Sequence, residues 1–465
     1  MTLIVGRTDR APDAAPGAPH GFALVDGVEL VGEFQGSAFT EQTFIARRPD
    51  GRAVQLSPLL FALARLVDRQ PSLAELADAA SASCGREVAA ADAELLLREK
   101  LAKVGLVERA DEAEREAPPA TPAPEERSLL GLHLRMGAVP DRLVQAGARR
   151  AAPLFRPLVM ALVVAGAVAA EASLLLSDLR AVLADLLVSP GQVLVLYAVI
   201  AASVLFHEFG HAGACRYGGA RPGKVGFGLY LTWPVFYSNV TDSYRLSRAG
   251  RLRVDLGGIY FNAVLLCVFA GGYQVTGEGM FVAFGLAQNM IVVQQLLPFL
   301  RLDGYWVVSD LAGVPDLYRY LGPTFSSLRR RPGLHPALAR LAPRPRLAVR
   351  VWALAAAPAL VVQFGGGLVF VPRAVEFAAQ GLAARWAAMD AFLGGDGSAA
   401  MAAVALVEIV IVVLPSLGLI PFFVLAGRRL VKQVWSWERS VAWRAAALGG
   451  LTVTVCTLIS IGALL

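Results

Sequence analysis

The sequence predicts a mostly α-helical polytopic membrane protein with a small α+β domain at its N-terminus, on three observations. Hydrophobic residues make up 56% of the 465 residues and the mean hydropathy is +0.54, a balance that soluble domains of this size rarely show. Long apolar stretches recur near 157–176, 191–214, 254–272, 279–300, 350–372, 401–426 and 443–465, each able or nearly able to supply the roughly 20 helical residues that cross a bilayer. The polar segments between them alternate in charge. Arg135, Arg142, Arg149, Arg150 and Arg156 precede the first stretch; Arg216 to Arg253, Arg319 to Arg346 and Arg428 to Arg444 bracket clusters after the second, fourth and sixth. The intervening loops are poor in cations and include Asp178, Asp185, Glu278, Asp390 and Asp396. This is the positive-inside pattern of about seven spans with a cytoplasmic N-terminus.

Residues 1–20 read as a flexible tail without the apolar core of a signal peptide. Residues 21–110 read as a small cytosolic domain. Alternating apolar and polar residues from Phe22 to Arg48, around Gly27, Gly32 and Gly36, predict short strands. Ser57-Pro58 opens a helix with Ser as cap and Pro at its first position, and Ser72 with Glu75 opens a second. A third runs through Leu95, Leu96, Leu97 and Leu101 and stops near Gly105. Strands followed by three short helices predict a winged-helix-like module. Residues 111–127 have a linker's composition, charged and Pro-rich, and 128–156 form a basic juxtamembrane segment. A membrane core over 157–320 and further helices over 321–465 complete the organisation.

Of only five histidines, His207 and His211 stand four apart with Glu208 between them, in an apolar stretch. On a helix both imidazoles then share one face and can reach one metal ion. A zinc site with three protein ligands leaves a position for water and lowers that water's pKa to about 7. Glu208 is placed to take the water's proton and return it to a leaving amine. An idle His-Glu-His cluster in lipid would cost several kcal/mol. Gly210 and Gly213 are small enough to let another helix or a substrate backbone approach. The third ligand is expected to be Asp303, 92 residues after His211; with both segments running outside to inside, it emerges at the same depth. The plainer reading of Asp303 is a cap on the segment Tyr305 to Leu311, and Asp310 is its rival as ligand. Asn262, Gln288, Asn289, Gln294 and Gln295 are expected to face the interior of the helix bundle. Asn262 is a candidate substrate-binding residue, with helix–helix hydrogen bonding as the alternative. Glu408, an intramembrane carboxylate without an evident partner, lines a water path to the metal, is paired, or lies near an interface. Residues 224–240 alternate as a hairpin whose edge could hold an extended peptide, with ordinary loop packing as the alternative.

HEFGH at 207–211 followed by LDGYW at 302–306 resembles the site-2 protease family of intramembrane metalloproteases. That resemblance implies one zinc ion per chain, bound by His207, His211 and Asp303, with Glu208 as catalytic base. Trp233 to Asp242 through Arg245, and Gly257 to Asn262, are similar to the family's peptide-maturation branch. Together these matches cover roughly 155–320. Arg301 and Leu302 stand where the family's usual NPDG has Asn and Pro, and there is no PDZ-length insert between spans.

Residues 21–110 carry 13 Asp and Glu against 10 Lys and Arg, which argues against a duplex-binding surface; no nucleic-acid partner is expected. Their order of elements resembles the PqqD-like recognition element of ribosomal peptide natural-product biosynthesis, which implies binding of a precursor's leader. Four cysteines without a CxxC pair exclude a disulfide framework. The combined expectation is a multi-pass enzyme of a bacterial cell membrane that removes the leader from a ribosomal peptide precursor, as in daptide-type pathways. Two alternatives stand: regulated intramembrane proteolysis of an anti-sigma-like membrane protein, and a non-proteolytic metal-binding subunit of a peptide exporter or immunity system.

Overall fold

The computed structural model describes residues 21–49, 53–70, 72–109, 132–137, 139–177, 182, 190–230, 233–329, 334–395, 397–410 and 414–435, with scattered positions between 449 and 460. The expected tail (1–20), the linker (111–127), Asp178, Asp185 and Asp396, and most of the expected span 443–465 lie outside them. The chain divides into two compact units, 1–125 and 126–465.

In the first unit, β1 (Phe22–Leu24) pairs antiparallel with a later strand, and β2 (Glu29–Glu33), β3 (Phe44–Arg47) and β4 (Ala53–Leu56) form an antiparallel meander. The pairing of β2 with β3 shifts register between Leu30 and Gly32, where Gly32 takes φ 119°. Helices α1 (Pro58–Leu66), α2 (Leu73–Cys84) and α3 (Ala90–Leu96) follow. Ser57 caps α1 by accepting from the Leu60 N–H; Ser72 caps α2 by accepting from the Glu75 N–H at 3.2 Å. α3 continues as a wider turn to Ala102, and Gly105 at φ 69° reverses the chain into β5 (Val107–Arg109), the partner of β1. Leu63, Leu76, Leu97, Leu101 and Leu106 are fully buried in one aliphatic core.

The second unit opens with β6 (Leu132–Gly137), the amphipathic α4 (Asp141–Ala151) and α5 (Pro157–Leu175). Then come α6 (Pro190–Tyr217), β7 (Val225–Tyr230), β8 (Trp233–Ser238), α7 (Arg248–Asp255), α8 (Gly257–Thr276), α9 (Gly279–Gln295) and α10 (Asp303–Ala312). The expected hairpin is present: β7 pairs antiparallel with β8 on one side and with β6 on the other. Past α11 (Leu321–Arg329) and the short α12 (Pro336–Ala339) run α13 (Pro343–Leu393), α14 (Ala399–Glu408) and α15 (Leu414–Trp435).

The chain is mostly α-helical, with a small N-terminal strand region, as expected. Four helices among the described residues are long and apolar enough to cross a membrane: Pro157–Leu175, Gly191–Tyr217, Gly257–Thr276 and Pro343–Val369. Leu158, Leu162, Val164 and Val168 of α5 point outward, each more than half exposed, an arrangement that suits lipid rather than water.

The expected stretch 279–300 is matched by a shorter helix. Residues 279–295 form a 17-residue helix that ends before Leu296. Within the stretch 401–426, α14 and α15 are helical on either side of residues 411–413, which lie outside the described residues. Around 350–372 the helix does not stop at the expected loop but runs for 51 residues, including Asp390. That length is about 75 Å, well beyond a hydrocarbon core of about 30 Å. The Ala-rich sequence after Arg373 favours helix strongly enough to continue it. Glu408 is paired, its carboxylate 2.8 Å from Arg385 on α13. Gln294 is exposed rather than inward-facing, whereas Gln288 is buried.

Candidate metal centre

The centre forms where α6 and α8 cross. A Cβ on Gly210 would lie 2.2 Å from the Gly257 carbonyl oxygen, and one on Gly257 would lie 2.7 Å from the Gly210 carbonyl oxygen. Only hydrogen fits on either side, so the two backbones touch. Gly213 makes the same kind of contact with Ala151 of α4, where an added Cβ would sit 2.6 Å from the alanine's own. This close approach carries the first turn of α8 beneath His207 and His211. A Cβ on Gly258 would stand 2.3 Å from His207 Nε2 and 2.5 Å from His211 Nε2. Glycine at 258 therefore leaves a space facing both ring nitrogens that any side chain would fill.

All three HExxH side chains are buried, His207 at 1%, Glu208 at 7% and His211 at 7% exposure. One ligand-type atom of each lies within 4.8 Å of the other two. Asp303, at the first position of α10, closes the group: its Oδ2 is 3.1 Å from His207 Nε2 and its Oδ1 is 3.4 Å from His211 Nε2. The two Nε2 atoms are 3.1 Å apart. The structure thus brings together four residues singled out in the sequence: His207, Glu208, His211 and Asp303.

The fifth, Asn262, is buried at 1% exposure beside the centre rather than in it. Its Oδ1 lies 2.6 Å from His207 Nδ1, on the far side of the ring from Asp303. Asp310 does not face the centre. Its Oδ1 accepts from Arg251 Nε at 2.8 Å, and Arg251, 1% exposed, also donates from Nη1 to the Leu246 carbonyl at 3.0 Å. That clamp joins α7 to α10 and so holds Asp303 opposite the histidines. Tyr305 anchors the same helix by donating to Asp316 Oδ1 at 3.0 Å and accepting from the Leu317 N–H at 3.0 Å.

The hydrogen bonds test whether a cation fits. His211 Nδ1 is 2.7 Å from the Val254 carbonyl oxygen. A carbonyl only accepts, so this nitrogen carries the proton and a neutral ring turns the Nε2 lone pair inward. That lone pair meets a carboxylate oxygen at 3.4 Å and another imidazole nitrogen at 3.1 Å. Asp303 Oδ2 is buried and lacks a hydrogen-bond donor among the described residues. Electron-rich atoms gathered this closely in a dry site repel one another unless a cation or a proton sits between them. Two imidazoles and a carboxylate around a space kept open by Gly258 fit zinc by donor type.

Two contributors were not legible beforehand. The Val254 carbonyl leaves no side-chain signal, and Gly258 was visible only as half of a Gly-Gly pair at a helix start; Gln288 was expected to face the bundle interior, and it does.

A comparison with curated proteins finds 27% identity over 131 residues with a Bacillus subtilis (strain 168) protein named "Putative peptide zinc metalloprotease protein YydH". The match covers 28% of this chain and 51% of the relative, so the chain spans about half the length of the curated relative it matches. It supports a zinc metallopeptidase kind. No family model matches the sequence, and no solved structure matches it.

Proposed function

We propose that this chain is a zinc-dependent endopeptidase that hydrolyses a peptide bond near the cytoplasmic face of the membrane. The observation that carries this reading is the convergence of His207 Nε2, His211 Nε2 and both Asp303 oxygens within 3.1–3.4 Å, with Glu208 buried beside them. His207, His211 and Asp303 would hold the ion. A zinc ion held there supplies Lewis acidity that makes water a nucleophile at neutral pH and polarises a peptide carbonyl. The chain's own contributions are then separable. Glu208 accepts the attacking water's proton and delivers it to the leaving nitrogen. The α6–α8 contact keeps bulk water away and the local dielectric low, which strengthens each charge interaction of the site. β8, the last strand of its three-stranded sheet, offers an extended substrate a place to pair by strand addition.

For the substrate we favour the precursor of a ribosomal peptide, docked through its leader on residues 21–110. The support is the acidic, strand-and-helix unit there and the naming of the Bacillus subtilis relative as a peptide metalloprotease. The decisive experiment purifies the full chain and its Glu208→Gln variant, measures bound zinc, and follows candidate precursors by mass spectrometry. About one zinc per chain in both proteins is expected, with cleavage lowered by at least about 100-fold in the variant. A wild type without stoichiometric zinc, or undiminished turnover by the variant, would sink the protease reading.

A further inference from the structure

Asn262 belongs to a buried chain of amides that reaches well beyond the metal centre. Its Nδ2 donates to Gln288 Oε1 on α9 at 3.1 Å, and Gln288 Nε2 donates to Ser203 Oγ at 3.0 Å. Ser203 lies on α6, four residues before His207, so the relay starts and ends on the same helix. Ser203, His207, Asn262 and Gln288 are each at most 3% exposed. Four polar side chains kept out of water in an otherwise apolar bundle are costly unless every member is satisfied. Here the satisfaction has a direction. With the amides oriented in this way, Asn262 presents an oxygen to His207 Nδ1, and only a ring protonated at Nδ1 can donate to it. Nε2 is then bare, and Nε2 is the nitrogen that faces Asp303. The opposite orientation of the same relay would offer an N–H to Nδ1, place the proton on Nε2 and close His207 to a metal.

We infer that Asn262 is a positioning residue: it holds His207 as the Nδ1–H tautomer with the Nε2 lone pair in the metal centre, and Gln288 with Ser203 locks its amide in that sense. The inference rests on the zinc reading of the site. It assigns the two histidines different supports. His211 is held by a backbone carbonyl, which cannot be mutated away, whereas His207 depends on a side chain. A cavity of about 140 Å³, lined in part by Asn262, Gln288, Glu171 and Asn289, adjoins the relay. That space lets a replaced Asn262 side chain be accommodated without a collapse of the helix contact.

The test is zinc affinity of the purified full chain, measured by chelator competition, alongside KM and kcat for a cleaved peptide. Asn262→Leu removes the acceptor at similar size. We expect its zinc affinity to fall by about 10- to 100-fold, with KM unchanged once zinc is saturating. Asn262→Asp can only accept, so it is expected to bind zinc like the wild type. Gln288→Met frees the Asn262 amide to turn and is expected to weaken zinc in the same direction; it serves also if the leucine variant does not fold. Wild-type zinc affinity in Asn262→Leu or in Gln288→Met overturns the proposal. So does zinc loss in Asn262→Asp, which would mean that the amide donates to the ring. A raised KM at unchanged zinc affinity places Asn262 on the substrate and overturns it too. If the wild type holds no zinc, the metalloprotease reading falls first; if it holds zinc and the variants match it, only the role of Asn262 falls.

Discussion

The two units of this chain solve opposite solvent problems. In residues 21–109 the leucines go inward: Leu63, Leu76, Leu97 and Leu101 are wholly buried, and the charged residues stay at the surface. In the second unit α5 turns Leu158, Leu162, Val164 and Val168 outward, while Ser203, His207, Asn262 and Gln288 are hidden. The first unit is stabilised by removing hydrocarbon from water. In the second, a hydrocarbon surround gives no such gain, so the helices are held by close contact at glycines and by buried hydrogen bonds. The difference teaches where function is affordable. Buried polar groups already specify the packing of the second unit, and the candidate metal centre is continuous with that network.

Substitutions can break that contrast. The largest effect is expected for Gly258→Ala, whose methyl would fall within 2.5 Å of both Nε2 atoms. Bound zinc and turnover should both be lost by about 100-fold or more, read by metal analysis and peptide cleavage, because the ligand geometry tolerates only tenths of an ångström. Next comes Leu63→Ala, a cavity in the aliphatic core, expected to cost the first unit about 2–5 kcal/mol in denaturant unfolding. Gly210→Ala forces the α6–α8 contact apart and is expected to cost about 1–3 kcal/mol, seen as a lowered Tm in detergent. Leu162→Ala, on the outward face of α5, is the smallest, within about 0.5 kcal/mol. Equal losses for Leu63→Ala and Leu162→Ala would end the distinction between the two units.

A pH experiment sharpens the comparison on the polar side. Burial, and then the Asp310 carboxyl beside it, push the Asp255 carboxyl well above its ordinary value of 3.8. Folding therefore favours protonated Asp255: that stability is complete below the ordinary carboxylate value and lost as pH rises through the raised one. Asp255→Asn cannot ionise and escapes the loss. Its Tm relative to wild type should climb by a few degrees between about pH 5 and about pH 8; a difference that is flat or falls with pH would show that Asp255 ionises freely in the folded protein.

Legibility in the sequence followed the range of the forces involved. The caps at Ser57 and Ser72 were readable because a cap involves residues three apart. His207, Glu208 and His211 were readable because one helical turn joins them. Asp303 was readable only with an expectation of which way each helix runs, and Asp310 could be set aside as its rival only once Arg251 was seen to occupy it. The seven apolar stretches were counted by hydropathy, but hydropathy does not register helix propensity. It therefore missed the 51-residue run of α13.

By itself the sequence determined a mostly helical chain, its apolar helices, the His-Glu-His face and the candidate Asp. Each follows from composition or from spacing along one element. The tertiary structure decided what surrounds those residues: the glycine crossing that opens the space at Gly258, the Val254 carbonyl that orients His211, and the Ser203–Gln288–Asn262 relay behind His207. These contacts join residues 26 to 85 positions apart. Their partners are set by how helices pack, which no local pattern encodes.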